Sequence, residues 1–306
     1  MSDSPTPAQS AIRFGLIAGV IAYFIWGIFP IYFKLVGDVS ATEIMAHRIL
    51  WSLPFGALIL TFRKQWPEVL RALMDKRVLA MLALAATTIA GNWYIYVLAV
   101  LEGRVLEASL GYYINPLMYV AAGVFIMGET LRKAQIVAVA LAALGVITLT
   151  FGAGVFPVTS LILATSFTAY GYIRKTTNVG AMPGLFIEVC LLSPIALIYL
   201  IWLIQAGNAA FLTSGLSLDL LLIFAGPVTV IPLMCFALAA RRLRLSTLGF
   251  LQYIGPTLQF ALGLYFGEVF TFYHAICFGL IWIALAIFSF DARRASVLPR
   301  PALRTN

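Results

Sequence analysis

Charged residues are scarce in this sequence of 306 residues. Asp, Glu, Lys and Arg make up 10% of the chain, whereas 62% of its residues are hydrophobic. A soluble globular protein carries about 25% charged residues, and so few charges could not keep the surface of a chain of this size in water. The composition therefore excludes a soluble enzyme, a nucleic-acid-binding domain and a disordered protein.

Residues that bind metals or perform catalysis are also few. The three cysteines, Cys190, Cys235 and Cys277, lie in apolar segments without CxxC spacing, and the two histidines are His47 and His274. This pattern indicates neither a disulfide framework nor a zinc site, and we expect the thiols to pack as small buried hydrophobic groups. The sequence has no GxxxxGK[ST] loop and no GxSxG motif, which disfavours a nucleotide-driven pump and a serine hydrolase. We expect no cofactor and no metal.

The chain consists instead of long apolar segments. Each has about the 20 residues that a helix needs to cross roughly 30 Å of hydrocarbon, and the polar N-terminal segment has no basic region or cleavage site of a signal peptide. The sequence therefore predicts an all-α integral membrane protein with ten transmembrane helices, and a short interfacial helix within 63–76. The predicted spans are 13–34, 42–62, 78–100, 107–127, 132–150, 155–175, 184–204, 218–239, 246–266 and 271–290.

Basic residues alternate between the loops. All but three of the 20 Lys and Arg residues fall in the tails and in every second loop; Lys34 and Arg104 fall in the other loops, and Arg48 falls within a span. The positive-inside rule then predicts that both tails, 1–12 and 291–306, are cytoplasmic. The net charge of +8 is thus an orientation signal, and we expect a multi-pass protein of a bacterial-type cytoplasmic (inner) membrane.

The two halves of the chain resemble each other when Pro54 is placed on Pro194, an alignment that we call the repeat register. HRILWSLP, ending at Pro54, then falls on IEVCLLSP, ending at Pro194, and SLGYYINP resembles TLGFLQYIGP. Each half would hold five helices, an odd number, so that the second half enters the membrane from the opposite side. The sequence predicts two inverted five-helix repeats, 13–150 and 155–290. Such repeats are typical of secondary transporters, whose substrate site lies near the midplane between the halves.

Six stretches of these spans carry a resemblance to a known family: AYFIWGIFPIYFK, EIMAHRILWS, GNWYIYVLAV, LEASLGYYINPL, GYIRK and GFLQYIGPTLQF. The resemblance runs over about 13–290 and is to the drug/metabolite transporter superfamily, in particular its EamA-domain members and their RarD-type branch. It implies a ten-helix carrier of small metabolites or drug-like solutes that works by exchange or proton coupling.

Ionisable residues inside a span are site candidates, because each is costly unless it faces protein or water. In the second span Glu43, His47 and Trp51 share one face and Arg48 lies beside them. This face could bind an anion, gate a cavity or relay protons. For the outer-gate candidates Lys34 and Glu43, an ion pair that merely staples two helices is the alternative.

Glu188 is the acid deep within the second half, and it falls on Arg48 in the repeat register. Its carboxyl could carry a coupling proton, or it could be a structural group bonded to a neighbouring helix. We expect no direct salt bridge between Arg48 and Glu188, since inverted symmetry places them near opposite faces. Arg174 and Lys175 are expected to be topology anchors near anionic lipid, without a substrate role.

Polar and aromatic residues of three further spans could line a cavity for an amphipathic solute. Alternatively, the amides are staples between helices, worth about 0.6 kcal/mol each. Pro116 and Pro256 are expected to bend their helices. The candidates are Asn92 and Tyr96 in the third span, Tyr112, Asn115 and Tyr119 in the fourth, and Gln252, Tyr253 and Gln259 in the ninth.

Taken together, these patterns favour a secondary transporter that moves a small organic solute by alternating access, and they disfavour an enzyme. Two alternatives stay open: an intramembrane enzyme of lipid transferase or protease type that uses His47, and a passive pore. The expected partners are a small-molecule substrate and membrane lipid, with proton coupling and a homodimer left open and no nucleic acid.

Overall fold

The computed structural model describes residues 7–127, 132–154, 156–240, 242–243 and 251–297. Within these ranges every regular element is a helix, which confirms the all-α fold class. The helices are α1 (Pro7–Gly27), α2 (Phe29–Val36), α3 (Ala41–Phe62), α4 (Trp66–Met74), α5 (Lys76–Leu101), α6 (Val105–Met127), α7 (Lys133–Ala153), α8 (Val158–Thr176), α9 (Ala181–Gln205), α10 (Leu216–Ala240), α11 (Ile254–Tyr265) and α12 (Phe272–Val297).

Seven segments of the described chain are long and apolar enough to cross a membrane: α1 with α2, then α3, α5, α7, α9, α10 and α12. The other three predicted spans correspond to α6, α8 and α11. Of these, α8 is rich in Thr, Ser and Tyr and ends on two basic residues, and α11 has 12 residues. The protein is therefore a multi-pass membrane protein, whereas the count of ten crossings stays a prediction.

The first span is broken between α1 and α2 at Ile28. Pro30 has no N–H, so the carbonyl of Trp26 loses the partner that it would have four residues further along a regular helix. Gln259 of α11 replaces that partner, because its Nε2 donates to the Trp26 carbonyl at 3.0 Å. The break is thus stabilised by a side chain from the other half of the chain.

The segment between the second and third spans forms the short helix α4, as predicted within 63–76. Trp66 Nε1 donates to Thr61 Oγ1 at 2.9 Å, which closes the turn from α3. Asp75 then caps α5 by accepting from two backbone N–H groups of its first turn. Glu68 Oε1 of α4 accepts from Gly180 N at 2.7 Å, so α4 also fixes the start of α9.

Helix packing follows a pattern that pairs the two halves of the chain. α3 packs against α9, α6 against α11 and α7 against α12; likewise α5 packs against α8, and α1 against α10. The starts of corresponding helices also match in the repeat register, since Ala41 of α3 falls on Ala181 of α9 and Lys76 of α5 falls on Leu216 of α10. The packing is the one that a twofold relation between the halves would give.

Close helix contacts depend on glycine at two places. A Cβ at Gly226 of α10 would clash with the backbone carbonyl of Trp51 in α3, and one at Gly111 of α6 would clash with the backbone of Ser160 in α8. Small residues let backbones approach in this way in membrane bundles.

The three cysteines are free thiols. Cys277 is buried, as expected, whereas Cys190 and Cys235 are half-buried. The expectation of three buried thiols is wrong for these two, because an apolar run inside a membrane span also includes the face that points away from the protein core.

Candidate functional site

The Glu43 carboxylate is buried at the start of α3 and holds a loop of the other half. Its Oε1 accepts from the backbone N–H groups of Ala210, at 2.9 Å, and of Phe211, at 3.1 Å. Both residues belong to the segment 206–215 between α9 and α10, which we call the capping loop. The carboxylate therefore compensates two backbone donors that the loop leaves without helical partners.

The alternative ion pair between Lys34 and Glu43 is not formed. Lys34 Nζ lies instead over the ring of Phe266, 4.3 Å from its centroid. A buried carboxylate gains two fixed charge-assisted hydrogen bonds from the backbone, whereas a lysine would have to lose its hydration and rotamer freedom to reach it. Glu43 thus connects two segments of the chain, but its partners are backbone N–H groups and not Lys34. A pattern of side chains does not reveal such partners.

His47 continues the face that Glu43 begins, one turn further into α3. Trp51 Nε1 donates to His47 Nδ1 at 3.1 Å, which assigns the proton of the neutral ring to Nε2. The ring of Phe211 in the capping loop packs on the imidazole at 4.7 Å between centroids. His47 Nε2 lies 4.0 Å from Glu43 Oε1, too far for a hydrogen bond. The predicted i, i+4, i+8 face exists and is covered by the capping loop.

Arg48 is 3% exposed and is surrounded by aromatic rings. Its Cζ lies 4.7 Å from the centroid of Trp93 and 5.5 Å from that of Phe33. Nε donates to Thr229 Oγ1 at 3.1 Å and Nη1 contacts Met45 Sδ at 3.9 Å. No carboxylate of the described residues lies within 4.0 Å of the guanidinium. The charge is thus held by cation–π contacts and neutral acceptors.

Three tyrosines, Tyr32, Tyr96 and Tyr112, lie in the surroundings of Arg48. Tyr32 donates its hydroxyl to the carbonyl of Leu221 at 2.9 Å. Tyr96 packs against Tyr112 and Phe33, at centroid distances of 5.7 Å and 6.0 Å. The Tyr96 hydroxyl is buried and has no hydrogen-bond partner among the described residues. We call Arg48, Phe33, Trp93, Tyr96 and Thr229 the Arg48 site.

Glu188 lies inside α9 and is 1% exposed. Arg174 Nη1 lies 3.4 Å from its Oε1, and Tyr170 donates to its Oε2 at 3.3 Å. Arg174 Nη2 also donates to the carbonyl of Gly180 at 3.0 Å, the residue before α9. The absence of a direct contact between Glu188 and Arg48 agrees with the expectation.

The interpretation of Arg174 as a lipid-facing anchor is wrong. Its side chain is 13% exposed and compensates a buried acid. Gly184, one turn before Glu188 in α9, makes this contact possible, since a Cβ there would overlap the guanidinium of Arg174. A glycine spaced i, i+4 from a buried acid is the sequence signal that could have indicated it.

Three of the four amide candidates, Asn92, Asn115 and Gln259, bond to neighbouring helices, as their structural alternative predicts. Asn92 Nδ2 donates to the Leu163 carbonyl and to Ser166 Oγ, at 3.0 Å and 2.9 Å. Asn115 Oδ1 accepts from Thr168 Oγ1 at 3.2 Å. Each residue also keeps one buried polar atom without a partner among the described residues: Asn92 Oδ1, Asn115 Nδ2 and Gln259 Oε1.

The remaining candidates are Tyr253, Gln252 and Tyr119. Tyr253 is stacked on Tyr113 at 6.5 Å between centroids, Gln252 is half-buried, and the side chain of Tyr119 lies outside the described residues. Pro256 stands in the first turn of α11, just after a turn at Tyr253 that separates α11 from the helical residues 251 and 252. A proline is tolerated there because the first-turn N–H groups have no helical partner.

Two cavities of the structure share no lining residue. One of about 500 Å³ is lined by Tyr113, Tyr253, Thr257, Trp282, Leu285, Ala286, Ser289 and Phe290. The other, of about 450 Å³, includes Lys34, Arg104, Glu107, Glu268 and His274. Sequence reasoning missed most of these residues, because the packing of the helices decides which side chains line a common space. The described residues contain no group of three His, Cys, Asp or Glu side chains placed to hold a metal ion.

A multi-pass helical bundle with charged groups buried between its helices is the architecture of a membrane transporter. A model of the EamA-like transporter family matches residues 13–151. The chain belongs to this family, in the RarD-type branch of the drug/metabolite transporters, as its relatives show.

An uncharacterized transporter of Vibrio cholerae is 45% identical over 298 residues, covering 97% of this chain and 99% of the relative. Protein RarD of Salmonella typhi is 46% identical, covering 92% and 96%. The chloramphenicol-sensitive protein RarD of Pseudomonas aeruginosa is 30% identical, covering 92% and 95%. A solved crystal structure shares the fold with a TM-score of 0.60 at 20% identity, covering 92% of this chain and 98% of the other.

Proposed function

We propose that this protein is a secondary transporter that moves a small organic solute by alternating access between two inverted repeats, 13–150 and 155–290. The observation that carries the proposal is the helix packing. In the repeat register the contacts α5–α8 and α1–α10 exchange, while α3–α9, α6–α11 and α7–α12 map onto themselves. Two equivalent halves can exchange conformations and open the centre first to one side and then to the other.

Two contacts are suited to close the two ends of the bundle. Glu43 holds the capping loop over one end of α3. Arg174 and Glu188 connect α8 to α9 near the start of α9. In alternating access, each contact would form in one state and break in the other. Buried charged groups suit this role. A buried ion pair adds little stability compared with apolar residues in its place, whereas a buried charge left without its partner is costly.

Glu188 is the proposed coupling group. Its carboxyl is buried beside Arg174 and Tyr170, so protonation would release Arg174. Glu188→Gln should then abolish stimulation by a pH gradient while solute exchange persists. Undiminished stimulation would assign the coupling elsewhere.

The proposed location is the cytoplasmic membrane with both termini in the cytoplasm, supported by the placement of basic residues in alternate loops. A reporter fused to the C-terminus should be active in the cytoplasm, and a periplasmic signal would contradict the count of ten spans.

The enzymatic alternative receives no support from the surroundings of His47. Its Nδ1 accepts from Trp51, and Phe211 covers the ring. No described hydroxyl or thiol is hydrogen-bonded to the imidazole, as a nucleophile activated by a general base would be.

Exchange can be tested without knowing the solute. Proteoliposomes are loaded with a ¹³C-labelled low-molecular-weight cell extract and diluted into buffer with or without the unlabelled extract. We expect mass spectrometry to find one or a few compounds whose efflux the external extract accelerates and saturates. Protein-free liposomes are the control. Unselective, unsaturated loss of small compounds would indicate a pore, and no accelerated compound would refute the exchange mechanism.

A further inference from the structure

We infer that the Arg48 site binds an organic monocarboxylate with an aromatic body, whose carboxylate pairs with Arg48 and Tyr96. The inference rests on the proposed transport function and names the substrate class of that transporter. It depends on the charge balance of the site, on the geometry of the guanidinium and on an unused hydroxyl.

The charge of Arg48 has no counter-charge in the described protein. The side chain is 3% exposed, and no described carboxylate lies within 4.0 Å of it. Burying a cation without an anion is unfavourable, and buried charges in proteins are generally paired or bound to a ligand. An anionic solute would supply the missing charge.

In the other half of the chain, the position equivalent to Arg48 carries a buried charge that has an opposite charge beside it. In the repeat register, Glu188 corresponds to Arg48 and Arg174 corresponds to Lys34. Glu188 and Arg174 form an ion pair, whereas the corresponding residues of the first half are two cations. The first half therefore lacks a negative charge, and the buried cation without a partner is Arg48.

The guanidinium lies beside aromatic rings, and both of its described acceptors are neutral. Trp93 and Phe33 lie against it at 4.7 Å and 5.5 Å. Its described hydrogen bonds go to a hydroxyl, Thr229 Oγ1, and to a thioether, Met45 Sδ. Neither is charged, and a planar guanidinium binds a carboxylate through its edge more strongly than either.

Tyr96 provides an independent indication of a ligand. Its hydroxyl is in a side chain that is 3% exposed and has no partner among the described residues. A buried hydroxyl is generally hydrogen-bonded. Its ring packs on Phe33, which also contacts Arg48. A carboxylate at Arg48 would accept from Tyr96, and the same rings would stack on an aromatic body.

Binding is measured on the purified full-length protein in detergent, by thermal shift and calorimetry. The probes are benzoate, phenylacetate and 3-phenylpropionate, with phenylacetamide and inorganic phosphate as controls. We expect the carboxylates to raise Tm and the neutral amide to have no effect. Arg48→Gln should abolish the shift, while Arg71→Gln, which changes an exposed arginine of α4, should not.

Tyr96→Phe separates a binding role from a structural one. The hydroxyl makes no described hydrogen bond, so its removal should leave the Tm without ligand unchanged or higher. Loss of one hydrogen bond to a charged group should weaken carboxylate binding about tenfold or more. If Arg48→Gln fails to give a monodisperse protein, Tyr96→Phe still decides the question.

Four results would overturn the inference: no shift with any of the three carboxylates, an equal shift with phenylacetamide, a shift with phosphate alone, or wild-type binding by either Arg48→Gln or Tyr96→Phe. The exchange experiment distinguishes this failure from failure of the proposed function. Exchange without carboxylate binding would refute only the substrate class, whereas carboxylate binding without exchange would refute the proposed exchange mechanism.

Discussion

Replacing Glu43 by Gln should loosen the capping loop while the helices stay packed. Glu43 Oε1 accepts from the N–H groups of Ala210 and Phe211. A hydrogen bond to a charged acceptor contributes about 1.5–3 kcal/mol, against about 0.5–1.5 kcal/mol for a neutral one. The neutral amide should therefore weaken each bond by roughly 1 kcal/mol and the pair by about 2 kcal/mol, which corresponds to about 30-fold easier local opening.

Hydrogen exchange resolved by mass spectrometry measures this opening directly. Peptides that cover 206–215 should exchange about 30-fold faster in Glu43→Gln than in the wild type. Glu68→Gln is the matched control, because Glu68 also accepts from the backbone, at Gly180. It should accelerate exchange at the start of α9 and leave the capping loop unchanged. Unchanged exchange in 206–215, or equal acceleration in every helix, would refute the role assigned to Glu43.

Two further predictions concern single side chains. Gly184→Ala places a methyl group where the Arg174 guanidinium lies, so it should separate Arg174 from Glu188 and lower stability by up to about 3 kcal/mol. Gly279→Ala, which meets nothing within 4 Å, should not lower Tm, and equal Tm values for both variants would contradict the contact. Burial raises the pKa of the Glu268 carboxyl, although N–H groups at the start of α6 and Lys34 oppose the shift. The stability from Glu268 is complete below the ordinary pKa of 4.5 and is lost as pH rises through the raised value. As pH rises above 4.5, Glu268→Gln should thus lose less Tm than the wild type, and equal losses would contradict the shift.

The sequence predicts the spans well because their length is a property of the bilayer. The second span is predicted at 42–62, and α3 is Ala41–Phe62. The sequence also indicates the amides, together with the alternative that they bond between helices, since polar groups inside a span require partners whatever the fold. Both predictions depend on the environment of the chain and not on its tertiary contacts.

Partners distant in the sequence could not be predicted. Glu43 bonds to backbone groups 167 and 168 residues away, and backbone donors leave no trace in a side-chain pattern. The positive-inside rule treats all basic residues at span ends alike, so it places Arg174 among the lipid-facing cations. Whether such a residue faces lipid or an acid depends on the space beside it, which Gly184 provides.

The ion pair between Arg174 and Glu188 affects which state of the proposed transport cycle is more populated when no solute is bound. The corresponding residues of the proposed first repeat, Lys34 and Arg48, are both cations and cannot form an equivalent ion pair, so in the proposed cycle the two end states would differ in energy. A difference of about 2 kcal/mol would leave about thirty molecules in the state with the intact pair for each one in the other. Solute would then find most transporters ready on one side of the membrane, although the direction of net flux would still follow the gradients.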